Sequence, residues 1–173
     1  MVKIRLIAYF PGVSTTTMAF MLMNRSVLIS CWILAALLVV IFTPRGKVRE
    51  ALVIFLFTHA VTGLFGLIVA ELKLIEYPIR EFAYATKSSF AFEYFIYPAT
   101  CVIFILRFPH TKGWMNKVGW YLIWPTWMSI VEVLIERYTG LIRYLDWSGL
   151  WSWITLLVTF SMSHLFYQWF YRK

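Results

Sequence analysis

Five long apolar stretches, each flanked by polar or charged residues, are the main feature of this chain. They cover about residues 27–43, 51–70, 90–106, 118–135 and 150–170. At 1.5 Å per helical residue, a stretch of about twenty residues covers about 30 Å, the thickness of the hydrocarbon core of a bilayer. The pattern predicts an all-α fold, an integral membrane bundle of five transmembrane helices.

The first 24 residues do not fit this pattern. Lys3 and Arg5 precede a short apolar run, as at the start of a signal peptide, but a proline–glycine pair and a run of hydroxyl residues interrupt it. We expect residues 1–24 to form an interfacial or disordered leader. Residues 25–173 should form the five-helix transmembrane domain.

Composition places the chain in a membrane. Of its residues 61% are hydrophobic and only 14% are charged, whereas soluble domains carry about 25% charged residues. The net charge of +8 does not indicate nucleic-acid binding, because the basic residues lie between apolar stretches, where they anchor helix ends. Cys31 and Cys101 lie inside predicted spans and have no metal-binding spacing, so we expect them to be packing residues and expect no metal or other cofactor.

Charge and aromatic residues follow the predicted topology. Face A is the side of the amino terminus and of the connectors 71–89 and 136–149; face B is the side of the 44–50 and 107–117 loops and of the carboxyl terminus. Lys and Arg are equal in number on the two faces, but without the leader face B has more, which predicts a multi-pass plasma-membrane protein with its amino terminus outside and its carboxyl terminus cytoplasmic. Trp and Tyr near the span ends indicate an aromatic belt in contact with membrane lipids.

Nearly all of the acidic residues fall on one predicted face. Only Glu50 lies on face B. Carboxylates are costly near hydrocarbon, so a one-sided cluster requires either ion pairing or a site. The seven on face A are Glu71, Glu76, Glu81, Glu93, Glu132, Glu136 and Asp146.

The two face-A connectors are predicted to meet over the bundle as a charged cap. Glu132 and Glu136 share a helix face, and Glu76 has Arg80 at the i+4 position. The first hypothesis is an ion-paired network, which would include Arg137 and Arg143. The second is a carboxylate pair that binds a cation, or that works as acid and base, at the membrane surface.

Glu93, His59 and His164 are further ionisable residues that are predicted to lie inside spans. Glu93, about one turn inside the third span, either marks a functional site or forms a salt bridge to Arg80, Lys87 or Arg143. His59 and His164 are either buried neutral histidines with hydrogen-bond partners or members of a proton relay or ligand site. They lie at different depths, so we expect no metal site between them.

Several runs carry a resemblance to a known family. They are Lys47 to Phe57 (KVREALVIFLF), Leu74 to Phe82 (LIEYPIREF), Ser89 to Ala99 (SFAFEYFIYPA), Val131 to Tyr144 (VEVLIERYTGLIRY) and Trp151 to Leu156 (WSWITL). From about Arg25 onward the chain resembles a family of small, uncharacterised polytopic membrane proteins of spore-forming Gram-positive bacteria. The resemblance implies a bacterial plasma membrane and a link to sporulation. It assigns no activity and no residue role.

Three classes of function fit these observations. We favour a non-enzymatic accessory or binding protein that holds a lipid, a small amphiphile or a partner membrane protein, which requires a pocket under the cap lined by Tyr and Trp. A membrane enzyme using Glu93, Glu132 and Glu136 requires a carboxylate that faces a cavity and has no basic partner. A small transporter or channel, with Glu93 and His59 along its path, requires polar residues through the full thickness.

Overall fold

The structure is a computed structural model and describes residues 15–171, most of which are helical. A 3-10 turn, Arg45–Lys47, separates the first two helices, and a π-helix, Phe92–Ile96, leads directly into the third. The helices are α1 (Thr15–Phe42), α2 (Val48–Glu71), α3 (Tyr97–Leu106), α4 (Trp114–Tyr138) and α5 (Gly149–Phe170). The connectors contain two short strands, β1 (Ile75–Glu76) and β2 (Arg143–Tyr144).

Four of the helices in this range are long and apolar enough to cross a membrane: α1, α2, α4 and α5. The chain is therefore a helical protein of membrane type. The third predicted span differs from the other four because it forms a shorter apolar helix, Phe92–Leu106.

The first helix begins well before the predicted start of the first span at about residue 27. Residues 1–14 of the predicted leader lie outside the described range, but its remaining residues belong to α1. Asn24 is fully buried: its Nδ2 donates to the carbonyl of Phe20 at 2.8 Å, and its Oδ1 accepts from the backbone N–H of Gly140 at 2.9 Å. This part of the leader is thus packed against the chain that follows α4.

The two strands join the connectors. β1 and β2 pair antiparallel, with Ile75 opposite Tyr144 and Glu76 opposite Arg143. A further backbone hydrogen bond, from the N–H of Leu145 to the carbonyl of Leu74 at 3.0 Å, extends the ladder. Because β1 follows α2 and β2 follows α4, the ladder joins the chain segments that follow these two helices.

The short third helix lies at the centre of the fold. It packs against α1, α2 and α5, and its residues Val102, Phe104 and Ile105 are at most 1% exposed. Phe104 stacks on Phe160 of α5 with ring centroids 5.1 Å apart. The helices around it keep most of their apolar side chains on the outer surface, as a protein in contact with lipid does.

Candidate functional site

Two glutamates lie buried on the same cavity, at the end of the helices nearest the strand ladder. Glu93 and Glu132 are each 7% exposed. Both line a cavity of about 70 Å³ between α2, the π-helix, α4 and α5. Tyr77, Tyr97 and Trp147 also line the cavity, and its lining contains no lysine or arginine.

The chain around Glu93 provides one hydroxyl donor and a close glycine. The hydroxyl of Tyr77 donates to Glu93 Oε1 at 3.0 Å. Gly66 of α2 lies against the same side chain: a Cβ at this position would be 2.6 Å from Glu93 Cδ and 2.7 Å from Ser88 Oγ. Ser88 Oγ is buried and has no hydrogen-bond partner among the described residues. An unsatisfied hydroxyl therefore lies near the carboxyl group of Glu93.

A break in the helical hydrogen-bond pattern positions Glu93. The N–H of Tyr97 bonds to the carbonyl of Phe92, five residues back, and Pro98 has no N–H to offer to the carbonyls before it. The Oγ1 of Thr62 donates to the backbone carbonyl of Glu93. His59 Nδ1 donates to the backbone carbonyl of Tyr94 at 2.9 Å. Side chains of α2 thus stabilise the π-helix, a feature that is frequent at functional sites.

Glu132 accepts three hydrogen bonds from hydroxyl groups. Tyr97 donates to Oε2 at 2.9 Å, while Tyr144 and Ser152 donate to Oε1 at 2.8 Å and 2.6 Å. Trp147 Nε1 donates in turn to Ser152 Oγ at 2.8 Å. These donors replace water around the carboxylate and connect α3, β2 and α5 through it.

Two of these tyrosines lie in the connectors, where their titration is shifted. Burial, and then the neighbouring carboxyl groups of Glu93 and Glu132, raise the pKa of Tyr77 well above its usual value. Burial and Glu132 raise the pKa of Tyr144 in the same direction. Both hydroxyls therefore keep their protons and act as donors to the glutamates at any physiological pH.

The ion-paired network predicted around Glu132 is absent from the described residues. The salt bridges in this range join Lys47 to Glu50, Lys87 to Glu71 and Arg143 to Glu76. Glu93, for which a bridge to Arg80, Lys87 or Arg143 was one hypothesis, has none. Of the basic side chains of the connectors, Arg80 is half-buried and the others are exposed, and none of them lines the cavity.

The predicted pair of Glu76 with Arg80 is also absent, for a local reason. The i+4 rule holds on a helix, whereas Glu76 lies in β1 and pairs across the ladder with Arg143 at 3.9 Å. Arg80 instead donates to the backbone carbonyls of Tyr77 and Thr86 at 2.7 Å and 2.8 Å. It holds the loop after β1 in place.

Glu136 and Arg137 lie outside the cavity. Glu136 is one turn beyond Glu132 on α4 and half-buried, and Arg137 is exposed. Neither is in a salt bridge within residues 15–171. The predicted pairing of Glu132 with Glu136 is therefore replaced, in the structure, by the proximity of Glu132 to Glu93.

The two histidines belong to different surroundings. His59 is half-buried and donates a hydrogen bond to the Tyr94 carbonyl of the π-helix. His164 is 1% exposed and lies 2.6 Å from the hydroxyl of Tyr121 and 3.2 Å from Gln168 Nε2. Near it, Thr58 Oγ1 donates to Ser163 Oγ at 3.0 Å. These contacts form a second polar cluster in the half of the fold away from the strand ladder.

The sequence pattern does not indicate the hydroxyl donors of the site, which are Tyr77, Tyr97, Tyr144 and Ser152. The tyrosines lie near span ends, where the pattern predicts only an aromatic belt. One signal was present in the sequence: Tyr77 and Tyr97 each precede a proline, and each follows a glutamate within one helical turn. Their convergence on one cavity depends on the strand ladder and the π-helix, which the apolar pattern does not indicate.

The arrangement is suited to holding a positive charge or a proton. Two carboxyl groups face one small cavity, hydroxyl groups fix their orientation, and no basic side chain neutralises them. The described residues contain no group of three His, Cys, Asp or Glu side chains placed to hold a metal ion.

Comparison with family models, with curated proteins and with solved structures gives no match for the chain.

Proposed function

We propose that this chain is a non-enzymatic binding protein of the membrane, which holds an organic ammonium group between Glu93 and Glu132. The observation that carries the proposal is a cavity lined by Tyr77, Tyr97 and Trp147, on which two buried carboxyl groups have no basic partner. The sequence predicts an accessory or binding protein for a lipid, a small amphiphile or a partner membrane protein; of these the proposal takes the small amphiphile and gives it a chemistry.

The charge of the two carboxyl groups favours a bound cation. A buried carboxylate without a partner is destabilised by the loss of its hydration, and two on one cavity also repel each other. A monovalent cation, or a proton, relieves both effects. Removal of a buried charge partner costs about 3–5 kcal/mol, so a bound cation has a comparable gain available to it.

The lining of the cavity favours an organic cation over a metal ion. Tyr77, Tyr97 and Trp147 present aromatic rings, which attract ammonium groups through their π faces. Only two carboxylates line the cavity, and residues 15–171 contain no group of three His, Cys, Asp or Glu side chains placed to hold a metal ion. A cavity of about 70 Å³ accommodates the head of an amine, and the rest of an amphiphile would extend outside it.

Binding of simple amines to the protein in nanodiscs tests this proposal. Isothermal titration with methylammonium and tetramethylammonium should show saturable binding to the parent. Removing one carboxylate, in Glu93→Gln or Glu132→Gln, should weaken binding at least tenfold. The matched control is Glu136→Gln, on the same helix but outside the cavity, which should bind as the parent does. Equal binding by all four proteins, or none by the parent, would refute the proposal.

The proposal includes the topology expected from the sequence. In this topology the apolar helix Phe92–Leu106 also crosses the membrane, which makes five crossings in all. It leads from the end of the bundle at the strand ladder to the start of α4 at the opposite end. The connectors 71–89 and 136–149 form the charged cap above the cavity, outside the cell. Central burial of α3 supports this arrangement, because a helix shielded from lipid does not need the full hydrophobic length.

Transport is the second candidate function, and one observation favours it. Polar groups continue beyond the cavity: Thr58 and Ser163 are hydrogen bonded, and His164 with Tyr121 lies further along α5. In this alternative a proton or ammonium ion released from Glu93 would follow these groups to face B. Uptake of methylammonium by proteoliposomes would separate transport from binding alone. The enzyme hypothesis for Glu93, Glu132 and Glu136 stays a prediction.

A further inference from the structure

A long groove lies between α1 and α4, and it shares Tyr97 and Glu132 with the lining of the carboxylate cavity. α1 packs on α3, and α4 packs chiefly on α5, so the space between α4 and the α1–α3 pair is incompletely filled. The wider part of the groove has a volume of about 480 Å³. A narrower part of about 100 Å³ continues it toward Glu132. Leu38, Thr100 and Trp127 line both parts, so the two are continuous.

The shape of the groove matches one lipid chain. Along α4 it extends from Trp120 to Ile135, which is about 22 Å at 1.5 Å per residue and is long enough for one acyl chain. One leaflet of the hydrocarbon core is about 15 Å deep. The walls are apolar and aromatic, with three tryptophans of α4 along one side: Trp120, Trp124 and Trp127.

The mouth of the groove carries a positive charge. Arg107, at the end of α3, lines the wide part and is exposed. Its Nε donates to the carbonyl of Phe42 at 3.1 Å, and its guanidinium carbon lies 5.8 Å from the centre of the Phe42 ring. No carboxylate in residues 15–171 pairs with it. These contacts hold the guanidinium at the groove's mouth with its two terminal nitrogens available to a ligand.

We propose that the groove binds one acyl chain of an anionic phospholipid, with the lipid phosphate on Arg107. A planar guanidinium is well matched to a phosphate, which it binds through two parallel hydrogen bonds. Lys117, one turn before Trp120 on α4, adds to the positive charge at this end. A second copy of the chain would offer little to pair with Arg107, because the one acidic residue at this end, Glu50, is bonded to Tyr167 and lies near Lys47.

Lipid retention measured by native mass spectrometry tests the proposal. The purified protein is offered phosphatidylglycerol and phosphatidylcholine with identical acyl chains at equal concentration. The parent should retain one phosphatidylglycerol in preference to phosphatidylcholine by at least tenfold. Arg107→Gln loses one basic contact to the lipid, which should reduce the preference for phosphatidylglycerol about fivefold. The matched control, Arg45→Gln, removes an exposed arginine that does not line the groove, and should behave as the parent does.

A second variant tests the groove rather than its charge. Leu38→Trp places a larger side chain where the two parts of the groove meet, and should abolish retention of both lipids while Glu93 and Glu132 remain in place. Equal retention of the two lipids by the parent would overturn the proposal, as would an equal effect of Arg45→Gln and Arg107→Gln. A dimer without bound lipid would show that a second copy occupies the groove instead.

Discussion

The contacts of Glu93 and Glu132 differ in a way that assigns them different roles. Glu132 accepts three hydroxyl hydrogen bonds, so its carboxyl group is fixed at a point where α3, β2 and α5 meet. Glu93 accepts one side-chain hydrogen bond, from Tyr77, and lies against Gly66 and the unsatisfied hydroxyl of Ser88. In our account Glu132 is the fixed half of the cation site, and Glu93 is the half that adjusts to the ligand.

The space beside Glu93 can be tested with a single methyl group. In Gly66→Ala the new Cβ would lie 2.5 Å from Glu93 Cγ, so the glutamate has to move. We expect a loss of about 1–3 kcal/mol in the free energy of unfolding, as in other overpacked cores, together with weaker amine binding. Chemical denaturation and titration with methylammonium measure the two effects.

The control for that substitution is Gly119→Ala on α4, where nothing lies within 4 Å of the added carbon. It should be neutral or stabilise the protein by about 0.4–1 kcal/mol, because alanine restricts the unfolded chain. Identical behaviour of the two variants would show that Gly66 is not needed to accommodate Glu93.

Among the elements, the π-helix Phe92–Ile96 is the one that sets the site's geometry. Pro98 has no backbone N–H to donate, and side chains of α2 donate instead to the backbone carbonyls of Glu93 and Tyr94. The extra residue in the turn changes the direction in which Glu93 points relative to α3. The site therefore depends on an interaction between α2 and the π-helix, and not on Glu93 alone.

Removing the hydroxyl of Thr62 tests this dependence. Thr62→Val keeps the shape of the side chain but leaves the carbonyl of Glu93 without its donor, which should cost about 1–3 kcal/mol of unfolding free energy. Amine binding should weaken in parallel. Thr126→Val is the control: the hydroxyl of this exposed threonine donates to the Leu122 carbonyl and accepts from Trp153 Nε1, both at the surface, so its loss should change stability by less. A Thr62→Val protein that binds and unfolds like the parent would contradict the role given to the π-helix.

The helices were predictable and the site was only partly so, for a physical reason. Apolar runs determine where α2, α4 and α5 lie, since bilayer thickness requires about twenty apolar residues. Glu93 and Glu132 were singled out by their position near hydrocarbon. The ion pairs that one hypothesis gave them are not formed among residues 15–171, because pairing depends on where the connectors fold. The two-residue strands and the π-helix, which bring Tyr77 and Tyr144 to the carboxyl groups, have no periodic signal of their own.

In the proposed membrane orientation of the whole molecule, the carboxylate cavity lies near the outer surface and the basic loops lie in the cytoplasm. Labelling with a membrane-impermeant maleimide tests this orientation, using Lys87→Cys in one connector and Lys112→Cys in the loop before α4, both exposed positions. In intact cells Lys87→Cys should react at once, and Lys112→Cys only after permeabilisation. The reverse pattern would invert the orientation while leaving the site unchanged.

Thermal unfolding in detergent is the first test of whether Glu93 and Glu132 form a cation site. The parent is compared with the double variant Glu93→Gln, Glu132→Gln, and each is measured with and without methylammonium. If the carboxyl groups are held without a partner in order to bind a cation, the double variant should be at least as stable as the parent, and methylammonium should raise the melting temperature of the parent alone. A large loss of stability in the double variant, with no effect of methylammonium on either protein, would contradict the account and make the two glutamates structural.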